Sequence, residues 1–181
     1  SSDLGGGVAA TLGNFNISDG IGTTKSIGLN YTDDYGKKVS TYGSYSYSQK
    51  AFTTVKSIAQ QNFSNTLSTT NNQLSNDYTI TDNHRFSYNI EVKPDSFNSI
   101  KFSPSFTYRK SNSNFNENHI ILNGNDEKLN DGFINEEAIS KLPNYSGTLL
   151  FNHRFLKKGR TLSVNLNGGT SGTEGTDDIR N

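Results

Sequence analysis

The sequence contains no cysteine, no methionine and no tryptophan, only three prolines, and no surplus of either charge: 17 Lys and Arg balance 17 Asp and Glu over 181 residues. Without cysteine there is no disulfide scaffold, no thiolate zinc site and no cysteine nucleophile. Without a basic surplus or a Lys/Arg cluster, the electrostatic basis for binding nucleic acid is missing, which excludes that partner. No window approaches the run of about 18 apolar residues that a membrane-spanning helix requires. No basic segment followed by an apolar one opens the sequence as a secretory signal would. Hydrophobic residues make up only 30% of the chain, while Ser, Thr and Asn make up roughly a third, leaving too little apolar mass for a conventional packed core.

What is present is aromatic. Eleven Phe and nine Tyr set the chain apart from disordered sequences, which are poor in rings and rich in uncompensated charge. These rings follow a period of two. From His84 to Lys93, Phe86, Tyr88, Ile90 and Val92 alternate with Arg85, Ser87, Asn89 and Glu91. From Ser99 to Lys110, Ile100, Phe102, Pro104, Phe106 and Tyr108 alternate with Lys101, Ser103, Ser105, Thr107 and Arg109. Such alternation predicts strands with one apolar and one polar face. The intervening Pro94-Asp95-Ser96-Phe97-Asn98 has turn composition. Antiparallel pairing of Val92 with Ile100 then places Ile90 beside Phe102, Phe86 beside Phe106, and Glu91 beside Lys101 on the opposite face.

Two more hairpins follow this plan. Ile27, Leu29 and Tyr31 lead through a turn at 34–37 to Val39, Thr41, Gly43, Tyr45 and Tyr47. Tyr145, Gly147, Leu149, Phe151 and Phe155 lead through Lys157-Lys158-Gly159 to Leu162, Val164 and Leu166, with Leu150 the exception on the polar face. A weaker strand is expected from Gly7 to Gly13. Between the hairpins, 49–83 and 111–143 read as long polar loops, with a short helix over Glu136 to Leu142 and a weak apolar stripe at Val55, Ile58, Phe63 and Leu67. No strand is expected over the Gly-Thr-rich stretch from Gly168 to Asn181.

The predicted fold class is all-β: an antiparallel up-and-down meander of about seven strands. Strands of about ten residues, apolar on one face and small-polar on the other, with tight turns alternating with long loops, match the pattern of an outer-membrane β-barrel. A soluble β-sandwich competes for the same alternation, but its connections are usually short at both ends. In the barrel reading the lipid-facing residues are Ile27, Leu29, Phe86, Ile90, Phe102, Phe106, Leu149, Phe151 and Val164. Tyr45, Tyr47, Tyr108 and Tyr145 fall at the long-loop ends and Tyr31 and Phe155 at the tight-turn ends, as two interfacial aromatic girdles require. Arg85, Glu91, Lys101, Arg109 and Arg154 face the lumen. Seven strands leave open edges that lipid cannot satisfy, so residues 1–181 read as one partial outer-membrane barrel, a fragment completed by further strands.

Several short stretches carry a family resemblance: Leu12-Gly13-Asn14-Phe15-Asn16-Ile17 with Asp19-Gly20, Ser26 to Tyr31, Tyr42-Gly43-Ser44-Tyr45-Ser46, His84-Arg85-Phe86, and His153-Arg154-Phe155 with Gly159-Arg160. In these the chain resembles the Bacteroidetes-type outer-membrane β-barrel family, which is similar to TonB-dependent receptors. The resemblance implies a plug followed by a barrel of about 22 strands, of which this chain is the first part, with the plug and its TonB-contacting segment absent. It further implies short turns toward the periplasm, long loops outside, and lumen-facing charges that contact the plug or a passing ligand. The alternative for those charges is structural, as cross-strand ion pairs such as Glu91 with Lys101.

Catalytic and metal chemistry find no support in the sequence. His84, His119 and His153 lack metal-ligand spacing, Gly5-Gly6-Gly7 and the glycines from Gly168 to Gly175 lack the ending of a phosphate-binding loop, and Asn123, Asn125, Asp126, Glu127, Asn130 and Asp131 do not fit an EF-hand, so a solvated loop is favoured there. No cofactor is expected, and the chain is not expected to be an enzyme. The function expected is solute uptake, as part of a TonB-dependent-type receptor in the cell outer membrane. Its partners would be membrane lipid, the remaining strands, the plug and, through the plug, the TonB system. The alternative is a non-transport outer-membrane or soluble β-protein that displays adhesive or structural loops.

Overall fold

Alternating side chains and hydroxyl-rich polar positions suit a pleated backbone, and the chain is strand almost throughout. A computed structural model describes residues 7–14, 20–62 and 68–180. The strands are β1 (Gly7–Asn14), β2 (Ile21–Tyr35), β3 (Val39–Asn62), β4 (Thr69–Val92), β5 (Asn98–Asn123), β6 (Lys128–Arg154), β7 (Thr161–Ser171) and β8 (Glu174–Arg180). The first seven form one antiparallel meander, each strand bonded to the next in sequence, and β8 also pairs with β6. Phe15-Asn16-Ile17, Asp19, Gly5, Gly6, Phe63 and Leu67 lie outside the described residues.

The central hairpin has the register that its two faces require: Val92 opposite Ile100, Ile90 opposite Phe102, Phe86 opposite Phe106, and Glu91 opposite Lys101. Its turn is held by Asp95, whose Oδ1 accepts from the Phe97 and Asn98 amides at 2.7 and 2.8 Å, while Oδ2 accepts from Asn98 Nδ2 at 2.8 Å. Gly36 and Gly159 adopt φ of 68° and 82° in the other two turns at this end, the left-handed conformation that costs glycine least.

Three expectations are corrected. Most of 49–83 and 111–143 is strand and not loop: β3 and β4 stay paired as far as Asn62 opposite Thr69, and β5 and β6 as far as Leu122 opposite Lys128. The connection at 124–127 is a short turn, with Asn123 Oδ1 accepting from the Asn125 and Glu127 amides at 2.9 Å each. Backbone pairing here needs no apolar periodicity, because every residue offers its own N–H and C=O to the neighbouring strand. For the same reason Glu136 to Leu142 is strand and not helix, each residue paired with β5.

The third correction concerns the C-terminal stretch, which is strand. Asn144 pairs with Ser171 and, three residues back along β6, Lys141 pairs with Glu174, so β7 and β8 keep one register. They are one strand interrupted opposite Pro143. The Gly172 amide still donates to the Pro143 carbonyl at 3.0 Å, but proline has no N–H to return the second bond of that pair. Both meander edges, the free side of β1 and that of β7 and β8, carry no neighbour among the described residues.

Candidate functional site

Registers across β2 to β7 turn single strands into rows. On one face, Leu29, Tyr45, Phe86, Phe106, Tyr145 and Thr170 share a row, and so do Tyr35, Val39, Val92, Ile100, Phe151 and Val164 near the short turns. Between them lies the row of Ile90, Phe102, Leu149 and Leu166. Together these rows make an apolar band that no described residue covers. Among the described residues no hydrophobic side chain is buried; Phe102 is 44% exposed, Leu149 39% and Leu166 60%. All nine residues expected to face lipid lie on this face.

Away from the short turns the band ends in an aromatic rim. Tyr47, His84 and Tyr108 share a row, with ring centroids 4.9 and 6.1 Å apart. Tyr145 packs on Phe106 at 4.8 Å. Tyr47 donates to Asp82 Oδ1 at 2.7 Å and Tyr45 shares a 2.8 Å hydrogen bond with His84 Nδ1. The next row is polar: Lys25, Gln49, Asp82, Lys110, Lys141 and Glu174. Rings with one polar tip, set between an apolar surface and a charged row, have the amphipathic placement of an interface. His84 was not anticipated in this rim, although counting back by two from Phe86 reaches it.

At the other end Phe155 lies beside the short turn as expected, whereas Tyr31 does not. Tyr31 lies within the band, opposite Gly43, and its hydroxyl reaches toward the short turns, donating to Asp33 Oδ2 at 3.0 Å and lying 2.9 Å from the Tyr35 hydroxyl. Phe155 follows the end of β6 and meets His153 edge-on at 4.5 Å.

The opposite face is hydroxyl-rich, and its neighbours bond across strands. Ser44 and Ser87 lie 2.8 Å apart, and Ser105 and Ser146 2.7 Å apart. Ser103 donates to Asn89 at 2.6 Å, and Thr148 to Asn167 at 2.9 Å. This pattern satisfies the polar groups laterally, side chain to side chain across neighbouring strands.

The five charges expected on the polar face separate into three groups. Arg85 and Arg109 come together: Arg85 is opposite Thr107, and Arg109, two residues on, is opposite Asn83. Both line a groove of about 600 Å³ with Ser46, Thr107 and Asn144. Glu91 is opposite Lys101 in register but makes its ion pair with Lys93, at 2.9 Å, so the expected Glu91–Lys101 ion pair does not form. Arg154 is tied into the β4–β5 turn, donating to the Ser96 carbonyl at 3.0 Å with its guanidinium over the Phe97 ring at 5.8 Å.

Beyond the aromatic rim the paired hairpins are rich in Asn, Ser and Thr, with apolar side chains such as Val55, Leu74, Tyr78, Phe133 and Ile139 scattered among them. Asn114, Asn116 and Asn135 form a hydrogen-bonded chain, Asn116 Nδ2 donating to Asn114 and Asn135 Nδ2 to Asn116. A hollow of about 360 Å³ lies here between Tyr78, Ile80, Ile139 and Thr176. The oxygen-rich segment after Asn123 spends its donors and acceptors on its own turn, with Glu127 accepting from Asn123 and Lys128 paired to Asp131 at 3.1 Å. Among the described residues no group of three or more His, Asp or Glu is placed to hold a metal ion. No protein-family model matches the chain, and no curated protein matches it either.

Proposed function

We propose that the chain is part of an outer-membrane β-barrel that works in solute uptake, as the wall of a TonB-dependent-type receptor. The observation that carries this reading is the uncovered apolar band backed by a hydrogen-bonded polar face. In water an apolar surface of this extent would be covered by a second layer; in lipid it needs no cover, and the polar face becomes the lumen.

Two further features support it. In β4 and β5 the band runs from His84 to Val92 and from Ile100 to Tyr108, about nine residues, against the 9–11 that a tilted transmembrane strand needs. The band also drifts across the sheet. In β2 it is centred on Ile27 and Leu29, whereas in β7 it has moved to Leu162, Val164 and Leu166, several rows nearer the short turns. A level membrane slab cutting tilted strands produces this drift.

Strands β3 to β6 have 24 to 27 residues. Subtracting the band leaves about 15 residues each, or about 50 Å of paired ribbon beyond the rim. That length favours a second reading, in which the barrel displays its hairpins as an adhesive surface. The two readings share the membrane band and differ in whether anything passes the lumen.

Fractionating cells that make the protein tests the shared part. Recovery in the outer-membrane fraction, with electrophoretic mobility that changes on boiling, is the expected result; recovery as a soluble monomer overturns it. Solute accumulation that stops when the inner membrane is depolarised separates the receptor from the adhesin.

A further inference from the structure

At the rim end of the apolar band the polar face carries a local run of positive charge. Starting from the row of Thr32, Tyr42, Asn89, Ser103 and Thr148 and moving toward the long hairpins, the next four rows bring Arg85, Arg109 and Lys50 onto this face and no carboxylate. The first acids appear beyond these limits: Glu91 and Asp34 on the short-turn side, Asp177 and Asp77 on the other. Lys50 rests its ammonium 5.1 Å from the centre of the Phe52 ring.

Arg85 and Arg109 are diagonal neighbours on adjacent strands, about 7–8 Å apart along the backbone and somewhat closer at Cβ. Side chains as long as arginine bring two guanidinium groups from that distance onto one anion. Their immediate neighbours on this face are Ser46, Asn83, Ser87, Thr107, Ser111 and Leu142, none of which can neutralise them. Both arginines are exposed in a groove of about 600 Å³. Two like charges placed this closely repel, and an anion lying between them relieves that repulsion.

We propose that Arg85 and Arg109 form an oxyanion site on the polar face, which takes the carboxylate or phosphate group of a small acidic solute. Forked guanidinium donors recognise both groups in two-point fashion, and the hydroxyl and amide groups of Thr107 and Asn83 stand beside them to complete the shell. This deepens the uptake reading by naming the solute class, and it rests on the polar face being a lumen.

Calorimetric titration of the detergent-solubilised protein with citrate, inorganic phosphate and, as a neutral control, glucose tests the site. Saturable heat is expected with citrate or phosphate and none with glucose. The double variant Arg85→Gln/Arg109→Gln should weaken that binding by about tenfold or more. Arg85→Lys/Arg109→Lys should keep part of it, through charge without the fork. Lys157→Gln/Lys158→Gln, which removes equal charge from the β6–β7 turn, should leave it unchanged. Circular dichroism verifies strand content in each variant. Silence toward both anions, or equal binding by the Gln double variant, overturns the site. Flotation of the same preparations with phosphatidylcholine vesicles separates the two proposals: protein that floats but binds neither anion overturns the oxyanion site alone, and protein that does not float overturns the membrane reading.

Discussion

Tyr88 lies across Gly43: the two are direct register partners on β3 and β4, and a Cβ at position 43 would run into the Tyr88 ring. Gly43 is buried although it has no side chain, because the ring fills the place that a side chain would take. An aromatic laid over a cross-strand glycine restores contact that the glycine alone would lose. Gly43→Val should force the ring off the sheet, and Tyr88→Ala should leave the glycine bare. Each is expected to destabilise by about 1 kcal/mol, the upper end for a cross-strand pair, and the double variant should cost less than the sum of the two. Urea unfolding of the four proteins checks this, and strictly additive losses would show that the two residues do not interact.

The faces can be distinguished by charge. Phe106→Lys or Leu149→Lys places an ammonium on the apolar band, where a lipid-facing charge near the midplane costs about 2–4 kcal/mol. Ser103→Lys or Ser105→Lys places the same charge on the other face; there each gives up only one hydrogen bond, to Asn89 or Ser146. Folding yield into vesicles should fall for the first pair and hold for the second. Equal yields from all four would remove the assignment of faces.

Where side chains alternate in hydrophobicity, the sequence was sufficient to place them. Ile90 with Phe102 and Phe86 with Phe106 follow from period two together with a five-residue turn, since one residue of slip would move every ring to the wrong face. The upper halves of β3 to β6 lack that signal. Asn71, Asn72 and Asn112 differ little in polarity from their neighbours, so nothing local there distinguishes a strand from a loop, and the ladder with the adjoining strand decides. The Glu136–Leu142 segment misleads in a specific way: Ala138, Ile139 and Leu142 have helical spacing, yet their amides and carbonyls pair with β5. Among the candidate charges, alternation gave the face of Arg85 and Arg109 and the register gave their proximity. The preference of Glu91 for Lys93 over Lys101 depends on side-chain conformations that no pattern encodes.

Extended pairing changes where proteases can reach. The ladders leave 124–127 as a short turn at the far tip of the β5–β6 hairpin, and it contains Asp126 at φ 61°. Paired strand backbone resists cleavage, because a protease must first draw the segment out of the sheet by local unfolding. With intact cells, proteinase K should cut within 124–127 and spare Lys157 and Lys158, which lie in the turn at the other end. Mass spectrometry of the released fragments reads the outcome. Cleavage at Lys157 or Lys158 in intact cells would reverse the orientation, and cleavage throughout 49–83 would contradict the long ladder.

The Asp95 turn should be sensitive to acid. The side-chain amide of Asn98 donates to this carboxylate, with the Phe97 and Asn98 amides beside it, and these bonds hold its pKa below the ordinary carboxylate value. They favour the charged form in the folded turn and are absent when the chain unfolds, so the folded pKa lies below the unfolded one. The stabilisation is therefore fully present above the unfolded pKa and disappears as pH falls through the folded one. Amide hydrogen exchange at Phe97 and Asn98 should accelerate across that acidic window, beyond the intrinsic pH trend of amides elsewhere in the sheet. Asp95→Ala should show the faster exchange at every pH and lose the transition. Asp95→Asn, which keeps an acceptor oxygen without the charge, should fall between them and also lose the pH dependence. If the wild-type transition persisted in Asp95→Asn, the titrating group would be one other than Asp95.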